Sequence, residues 1–421
     1  MSRLARADLA AHLLETAFTP PAAAALTPRR VGAEVEFLVL DGATGLPCPL
    51  EPDPAGGPPA TLPFLRRFGA RQGWIEGRTP KGAPSFRIPG GGSICFEPGG
   101  QLEYASSPSR SASSLITRLR AVAVPLRAAA AAEGITLAAV GIDPHTPVEA
   151  VPLQLGGDRY VRMAEHFARL GPAGARMMRQ TASFQISLDF DDLPCGRWRL
   201  LNALAPWVTA IFANSPTYAG DDTGHQSFRA HCWRTLDPRR TGLPYDEARP
   251  VEAYLDFALQ APAILLPTVQ GACLPFGDWV RRASPTRYEW EAHLSTLFPE
   301  VRPRGHAEVR ACDAVDPEWY AAPIAFLSGL TYDERAFRAA LAILPAPDPD
   351  LLERGGRLGL QDPVIGGLAG ELVQLALQGC AALGPGFLRP SHLDEARAFF
   401  EHFTLRGRAP ADEAARTAAA A

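Results

Sequence analysis

Alternation of apolar and polar residues, more than long apolar runs, organises this chain. In Val31–Leu40, Ala33, Val35 and Phe37 alternate with Glu34 and Glu36, which predicts a strand with both acids on one face. Two residues of strand separate those carboxylates by roughly 7 Å. At an effective dielectric near ~20 their repulsion is about 2 kcal/mol. In Gly91–Ala105, Ser93, Cys95 and Glu97 oppose Ile94 and Phe96; beyond Pro98-Gly99-Gly100, Gln101 and Glu103 oppose Leu102 and Tyr104. Pro-Gly-Gly is turn chemistry, so this stretch reads as a hairpin with carboxylates near its tip. Thr181–Phe190 is the clearest strand. Ala182, Phe184, Ile186, Leu188 and Phe190 form its apolar face; Thr181, Ser183, Gln185, Ser187 and Asp189 form its polar face, an antiparallel signature. Gly305–Asp313 repeats the pattern, with His306, Glu308, Arg310 and Cys312 opposing Ala307, Val309 and Ala311. Ile135–Ile142 reads as a buried strand.

Helical spacing predicts helices over 3–16, 111–133 (kinked at Pro125, stopped at Gly134), 158–170, 194–213, 251–259 and 287–297. Further helices are predicted near 318–343, 364–380 and 391–404. The Pro- and Gly-rich residues 41–90 read as surface excursions or a lid. Arg229, His231, Trp233, Arg234, Asp237, Arg239 and Arg240 read as a charged loop. With no repeat and no long linker, 1–421 is expected to be one α+β domain. It comprises an N-terminal helix and link (1–30), a part with the sheet and its helices (31–315), a helical part (316–406) and a frayed tail (407–421).

Composition narrows the function. A net charge of −4 gives no basic footprint for nucleic acid. Lys81 is the only lysine, so phosphate binding falls mainly to arginine forks. The seven cysteines are scattered and never spaced C-x-x-C, which fits a reducing compartment better than a disulfide framework. Cys95 and Cys312 read as small packing residues, Met177 and Met178 as core. His231, His293 and His306 read as loop or capping histidines, since no H-x-x-x-H spacing supports a metal role. MSRLARADLAAHLLE lacks the apolar core of a secretory signal. The most apolar stretch, Leu200–Ala213, carries Pro206 and is too short to span a bilayer. A cytoplasmic protein with no membrane partner is expected.

The polar strand faces together offer Glu34, Glu36, Glu97, Glu103, Gln185, Glu308 and Arg310. If the strands share one sheet, its acids need cations, and an all-oxygen donor set selects Mg²⁺ or Mn²⁺ over zinc. There is no G-x-x-x-x-G-K-[ST] and no strand-linked G-x-G-x-x-G, so neither a P-loop nor a Rossmann mode is supported. The residues point to phosphoryl chemistry on a sheet-borne metal cluster. A two-carboxylate glycosidase would leave most of the acids and the arginines without a role.

Six motifs carry a resemblance: GAEVEF (32–37), EPGGQLEYASSP (97–108), RMMRQTASFQISLDF (176–190), FANSP (212–216), SFRAHCWRTLDPRRTG (227–242) and HLSTLFPEVRPRGHAEVRACDA (293–314). In this order they resemble the plant and bacterial type of glutamate–cysteine ligase, within the glutamine synthetase-like carboxylate–amine ligases. The GPAGARMM and PRGHAEVR wording is similar to the actinobacterial branch that serves ergothioneine synthesis. The resemblance implies a curved, mainly antiparallel sheet with a polar active-site face and helices on the other. It also implies ATP, Mg²⁺, glutamate and cysteine as ligands. ATP would phosphorylate the glutamate γ-carboxylate, and the amine of cysteine would displace phosphate. On this likeness Glu34, Glu36, Glu97, Glu103 and Glu308 would be metal ligands, with Glu308 and Arg310 in the catalytic E-x-R pattern. Gln101, Gln185, Arg229 and Trp233 would meet the substrate, and Arg240 and Gln185 the nucleotide. Ser187 replaces a frequent Asn, and Ala311-Cys312-Asp313 replaces Gly-Ala-Asp, which alters the expected acceptor contacts. Two alternatives stand beside this reading: a ligase using another amine, and a non-catalytic binding protein on the same scaffold.

Overall fold

A computed structural model describes residues 4–21, 29–80, 82–190, 193–246, 248–269, 271–283 and 285–414. Lys81 and the end of the tail from 415 lie outside them. A nine-stranded antiparallel sheet forms the centre. Its strands are β1 (Val31–Asp41), β2 (Ile75–Arg78), β3 (Pro84–Arg87), β4 (Ser93–Phe96), β5 (Leu102–Ala105), β6 (Ile135–Ala138), β7 (Phe184–Asp189), β8 (Val301–Pro303) and β9 (His306–Val309). Their spatial order is β8-β9-β7-β1-β5-β4-β3-β2, and the sheet is open at both ends. The long β1 is the pivot. Its first half pairs with β5 and β7, and its second half, Leu38–Asp41, turns to pair with β6.

Register follows the sequence pattern. Ala33, Val35 and Phe37 join Phe184, Ile186, Leu188, Ala307, Val309, Leu102, Tyr104, Ile94 and Phe96 in one buried apolar cluster. The helices Ala112–Ala132 and Pro194–Ile211 cover that face, contributing Leu115, Leu119, Trp198 and Leu204. A one-residue slip in any strand would send its acids into this cluster, so burial fixes the register. Ser111 caps the Ala112–Ala132 helix by accepting from Ser114 N at 3.0 Å.

The hairpin β4–β5 forms as expected, with Cys95 opposite Glu103. Its tip is dictated by close approach. A Cβ on Gly99 would stand 2.2 Å from the Arg179 carbonyl oxygen, and Gly100 has φ +89° with Gln154 against it. Residues 41–90 depart from expectation. Instead of a lid they supply the Thr61–Gln72 helix and the strands β2 and β3, which extend the sheet to its edge. Phe64, Leu65 and Phe68 bury one side of that helix, a periodicity that the surrounding Pro and Gly obscured. The charged stretch after Ser227 is likewise a helix, Phe228–Leu236, because the Ser227 hydroxyl accepts from Ala230 N at 3.1 Å and supplies its cap.

The C-terminal part is helical, and includes an unexpected helix at Pro349–Leu358. Ala321–Tyr332 is buried on every side, and Gly329 lies against the Ala376 backbone of the Pro363–Leu383 helix. That 21-residue helix is apolar and long enough to cross a membrane by length and composition. Here Ile365, Leu372, Val373, Ala376 and Cys380 pack into the main core. Ala409 and Ala411 rest on Ala213, so the start of the tail is held against the body.

Candidate active site

The polar face of the sheet floors a cleft of about 600 Å³. Cross-strand pairing assembles the floor. Glu34 on β1 stands opposite Gln185 on β7, and Glu36 stands opposite Glu103 on β5. Glu97 and Gln101 close the hairpin tip through Glu97 N donating to Gln101 O at 2.8 Å. Glu34, Glu36, Glu97 and Glu103 therefore line one cleft, although they come from segments some sixty residues apart.

These acids are not equivalent. Glu36 accepts from Ser183 N at 2.7 Å and from Gln185 Nε2 at 2.9 Å. Burial pushes the Glu34 carboxyl up to about 7, with Glu308 and Glu36 adding repulsion and Arg310 opposing it. Burial also drives Glu103 well above the carboxylate range, reinforced by Glu34, Glu97 and Glu36. Cys95 belongs to this group, which corrects its reading as a packing residue. Its thiol donates to Glu103 Oε1 at 3.2 Å, and burial beside the acids raises its own pKa. With Glu34 and Glu103 driven toward neutrality by burial and repulsion, these crowded carboxylates form a donor set that a hard divalent cation would stabilise.

Glu308 sits differently. It is 2% exposed and accepts from Arg310 Nη1 at 2.7 Å, Arg302 Nη1 at 3.0 Å and Arg304 Nη1 at 3.3 Å. Burial pushes its carboxyl up, but Arg302, Arg310 and Arg304 outweigh that and hold it below the usual range. It faces a second cavity of about 360 Å³, which shares Glu34 and Arg304 with the main cleft. Ser187 and Gly32, paired across β7 and β1, line this cavity too, and their small side chains leave it open. Arg310 Nη1 also donates to Gln185 Oε1, so Gln185 links the acid cluster to the arginines.

On the opposite wall, the Phe228–Leu236 helix presents Arg229 and Trp233. Arg229 Nη2 donates to Arg310 O at 2.8 Å, and its Nη1 lies 3.5 Å from Asp313 Oδ1. Asp313 is the hub behind this wall. It accepts from Asn214 N, Ser215 Oγ and Ser227 Oγ at 2.8, 2.7 and 2.9 Å, which gives the FANSP motif and Ser227 a structural purpose. The Trp233 ring packs on Phe298 at 5.3 Å under the Arg310 guanidinium at 5.4 Å. Its buried Nε1 has no hydrogen-bond partner among the described residues.

Two expectations need correction. Arg240 does not reach the cleft. It is 0% exposed and donates to Asp237 Oδ2, Thr296 O and Pro262 O at 3.2, 2.8 and 2.6 Å. The high density of arginines in its stretch mixed a structural ion pair with functional ones. Gln101 does line the cleft, but its amide is committed to the backbone: Oε1 accepts from Gly99 N at 2.9 Å and Nε2 donates to Thr181 O at 3.0 Å. The sequence reading also overlooked Arg159, Arg302, Arg304 and the N-terminal helix, whose His12 and Thr16 line the cleft. Arg302 had a legible signal: the V-R-P-R-G turn is a tight hairpin that sets it opposite Glu308.

The sequence model of the family described as "Glutamate-cysteine ligase family 2 (GCS2)" matches residues 30–357. The chain is 34% identical over 342 residues to glutamate–cysteine ligase EgtA of Mycolicibacterium smegmatis, spanning 77% of this chain and 78% of that protein. It is 30% identical over 324 residues to the chloroplastic glutamate–cysteine ligase B of Oryza sativa subsp. japonica, spanning 70% of this chain and 65% of that one. It thus covers slightly less than two thirds of the plant relative. Among solved structures, a glutamate–cysteine ligase from Francisella tularensis in complex with AMP has a TM-score of 0.53 at 13% identity, over 94% of this chain and 85% of that one. That likeness is one of fold: the open antiparallel sheet is of the glutamine synthetase-like kind.

Proposed function

The chain belongs to glutamate–cysteine ligase family 2, and from that premise we propose that it joins the glutamate γ-carboxylate to the α-amine of cysteine, driven by ATP. A γ-carboxylate oxygen attacks the γ-phosphorus of ATP and ADP leaves. The cysteine amine then attacks the acyl carbon, the C–O bond to phosphate breaks, and the amine proton passes to solvent. The products are γ-glutamylcysteine, ADP and phosphate, in a reducing cytoplasm that keeps the thiol free. The observation that carries this reading is one cleft with four crowded acids on its floor and Arg302, Arg310 and Arg229 around it.

Glu34, Glu36, Glu97 and Glu103, with Glu308 at the boundary, would hold Mg²⁺; Mn²⁺ suits the same oxygens. Bound there, the ion would supply positive charge to offset that of the triphosphate. Arg310, steered by Glu308 and Gln185, meets the transferring phosphoryl group with a fixed guanidinium that needs no reorganisation during transfer. Arg229, braced by Asp313, receives the α-carboxylate of glutamate, and the unpartnered Trp233 Nε1 supplies a further donor.

Phosphate release from ATP and glutamate with each amino acid in turn tests the proposal. Release that requires Mg²⁺ and cysteine, with γ-glutamylcysteine found by mass, is the expected result. Release with a different amine alone would replace the acceptor. Silence with every amine would leave a binding protein.

A further inference from the structure

Away from the cleft, two segments distant in sequence bring His225, His231 and Glu353 together. His225 lies in the loop before the Phe228–Leu236 helix, His231 on that helix, and Glu353 on the Pro349–Leu358 helix. One ligand atom from each lies within 4.8 Å of the other two. All three are half-buried. The spacing H-x-x-x-x-x-H carries no known metal signature, which is why His231 read as a structural residue.

We propose that these three side chains bind a borderline divalent ion of the Zn²⁺ class, tying the helix that carries Arg229 and Trp233 to the Pro349–Leu358 helix. Three observations support it. His225 Nδ1 lies 2.9 Å from the Thr223 carbonyl oxygen, so this nitrogen carries the proton and Nε2 is left with a free lone pair. Metal-binding histidines are oriented in this manner. His231 Nδ1 and Glu353 Oε1 are 3.4 Å apart, close to the roughly 3.3 Å edge of a tetrahedron with bonds of about 2.0–2.1 Å. Finally, the two imidazoles lie 4.4 Å apart between centroids, with Phe228 stacked on His231.

Two nitrogens and one carboxylate form a donor set that suits zinc and disfavours magnesium, in contrast to the all-oxygen cleft. Among the described residues, Arg234 is the guanidinium paired with this carboxylate. Its Nε lies 3.8 Å from Glu353 Oε2 and leaves Oε1 to the ion. His231 is two residues from both Arg229 and Trp233, so the ion would grip the side of the helix turned away from the substrate.

The test titrates Zn²⁺ into the full chain with Mg²⁺ saturating, so that the acid cluster is already filled. We expect one equivalent of Zn²⁺ bound at micromolar concentration or tighter, together with a Tm rise of roughly 2–4 °C. His225→Gln and His231→Gln should each weaken binding by at least about tenfold and abolish the Tm rise. Co²⁺ in place of Zn²⁺ should give the visible bands of a nitrogen-ligated ion, lost in the same variants. Absence of binding at 100-fold higher Zn²⁺ overturns the proposal, leaving a His231–Glu353 ion pair. Binding that survives in both variants overturns it too, placing the ion elsewhere. None of the three readouts depends on ligase turnover.

Discussion

Glu34 and Glu308 stand on one sheet face with only β7 between their strands, yet their carboxyls are driven in opposite directions. At Glu34 burial is the main cause and raises its pKa to about 7, with Glu308 and Glu36 adding repulsion that Arg310 and Arg302 do not cancel. Around Glu308 three guanidiniums outweigh an equally severe burial. The side-chain chemistry is the same; the partners decide. The cleft is therefore polarised, with acids concentrated at one end and arginines at the other. The metal-bound triphosphate proposed above would match that polarity, with the cation at the acid end and the phosphate oxygens at the arginine end.

The largest expected effect comes from the acid-rich end. Glu34→Gln and Glu103→Gln should cut Mg²⁺-dependent phosphate release on the order of 10³-fold, several kcal/mol of transition-state stabilisation. The same changes should raise Tm in EDTA at neutral pH, because each removes a carboxyl group whose ionisation the folded state opposes. A fall in Tm would show that the acids support the metal-free fold, and the contrast between the two ends would fail. Glu308→Gln should behave oppositely, lowering stability by about 3–5 kcal/mol in urea unfolding, because it leaves the largely buried Arg302 and Arg310 without their carboxylate. Unchanged stability there would also remove the contrast.

Acidity sharpens the comparison. The folded pKa of Glu34 lies above its ordinary value of 4.5, so its contribution is fully present below about pH 4.5 and fades as pH rises toward 7. In EDTA this amounts to a loss of at most about 3 kcal/mol across that window. Unfolding measured from pH 5 to 8 should show the loss in EDTA, and Mg²⁺ or Glu34→Gln should flatten it. The smallest functional effect belongs to Arg240, which lies outside both ends. Arg240→Met should destabilise the protein yet leave KM for ATP within about twofold in the folded fraction; a larger rise in KM would return Arg240 to the nucleotide.

The acid cluster was legible because strand alternation is strict: Glu34, Glu36, Glu97, Glu103 and Glu308 each oppose apolar neighbours that burial holds inside. The six ordered motifs made the family legible as well. Helix ends and edge strands in 41–90 were harder, since Pro and Gly interrupt the apolar periodicity of Phe64, Leu65 and Phe68. Between Arg229 and Arg240 the sequence offered no means of choice. The two look alike in the chain, and only their partners separate a wall of the cleft from a buried pair with Asp237.

The sequence by itself determined which face each strand would bury, and so which acids would share a surface, because side-chain direction alternates with a period fixed by the backbone. Only the tertiary structure decided their charge states and the uses of the arginines. Those depend on distances across strands and helices far apart in the chain, where a buried charge is tolerated only beside the particular partner that folding delivers.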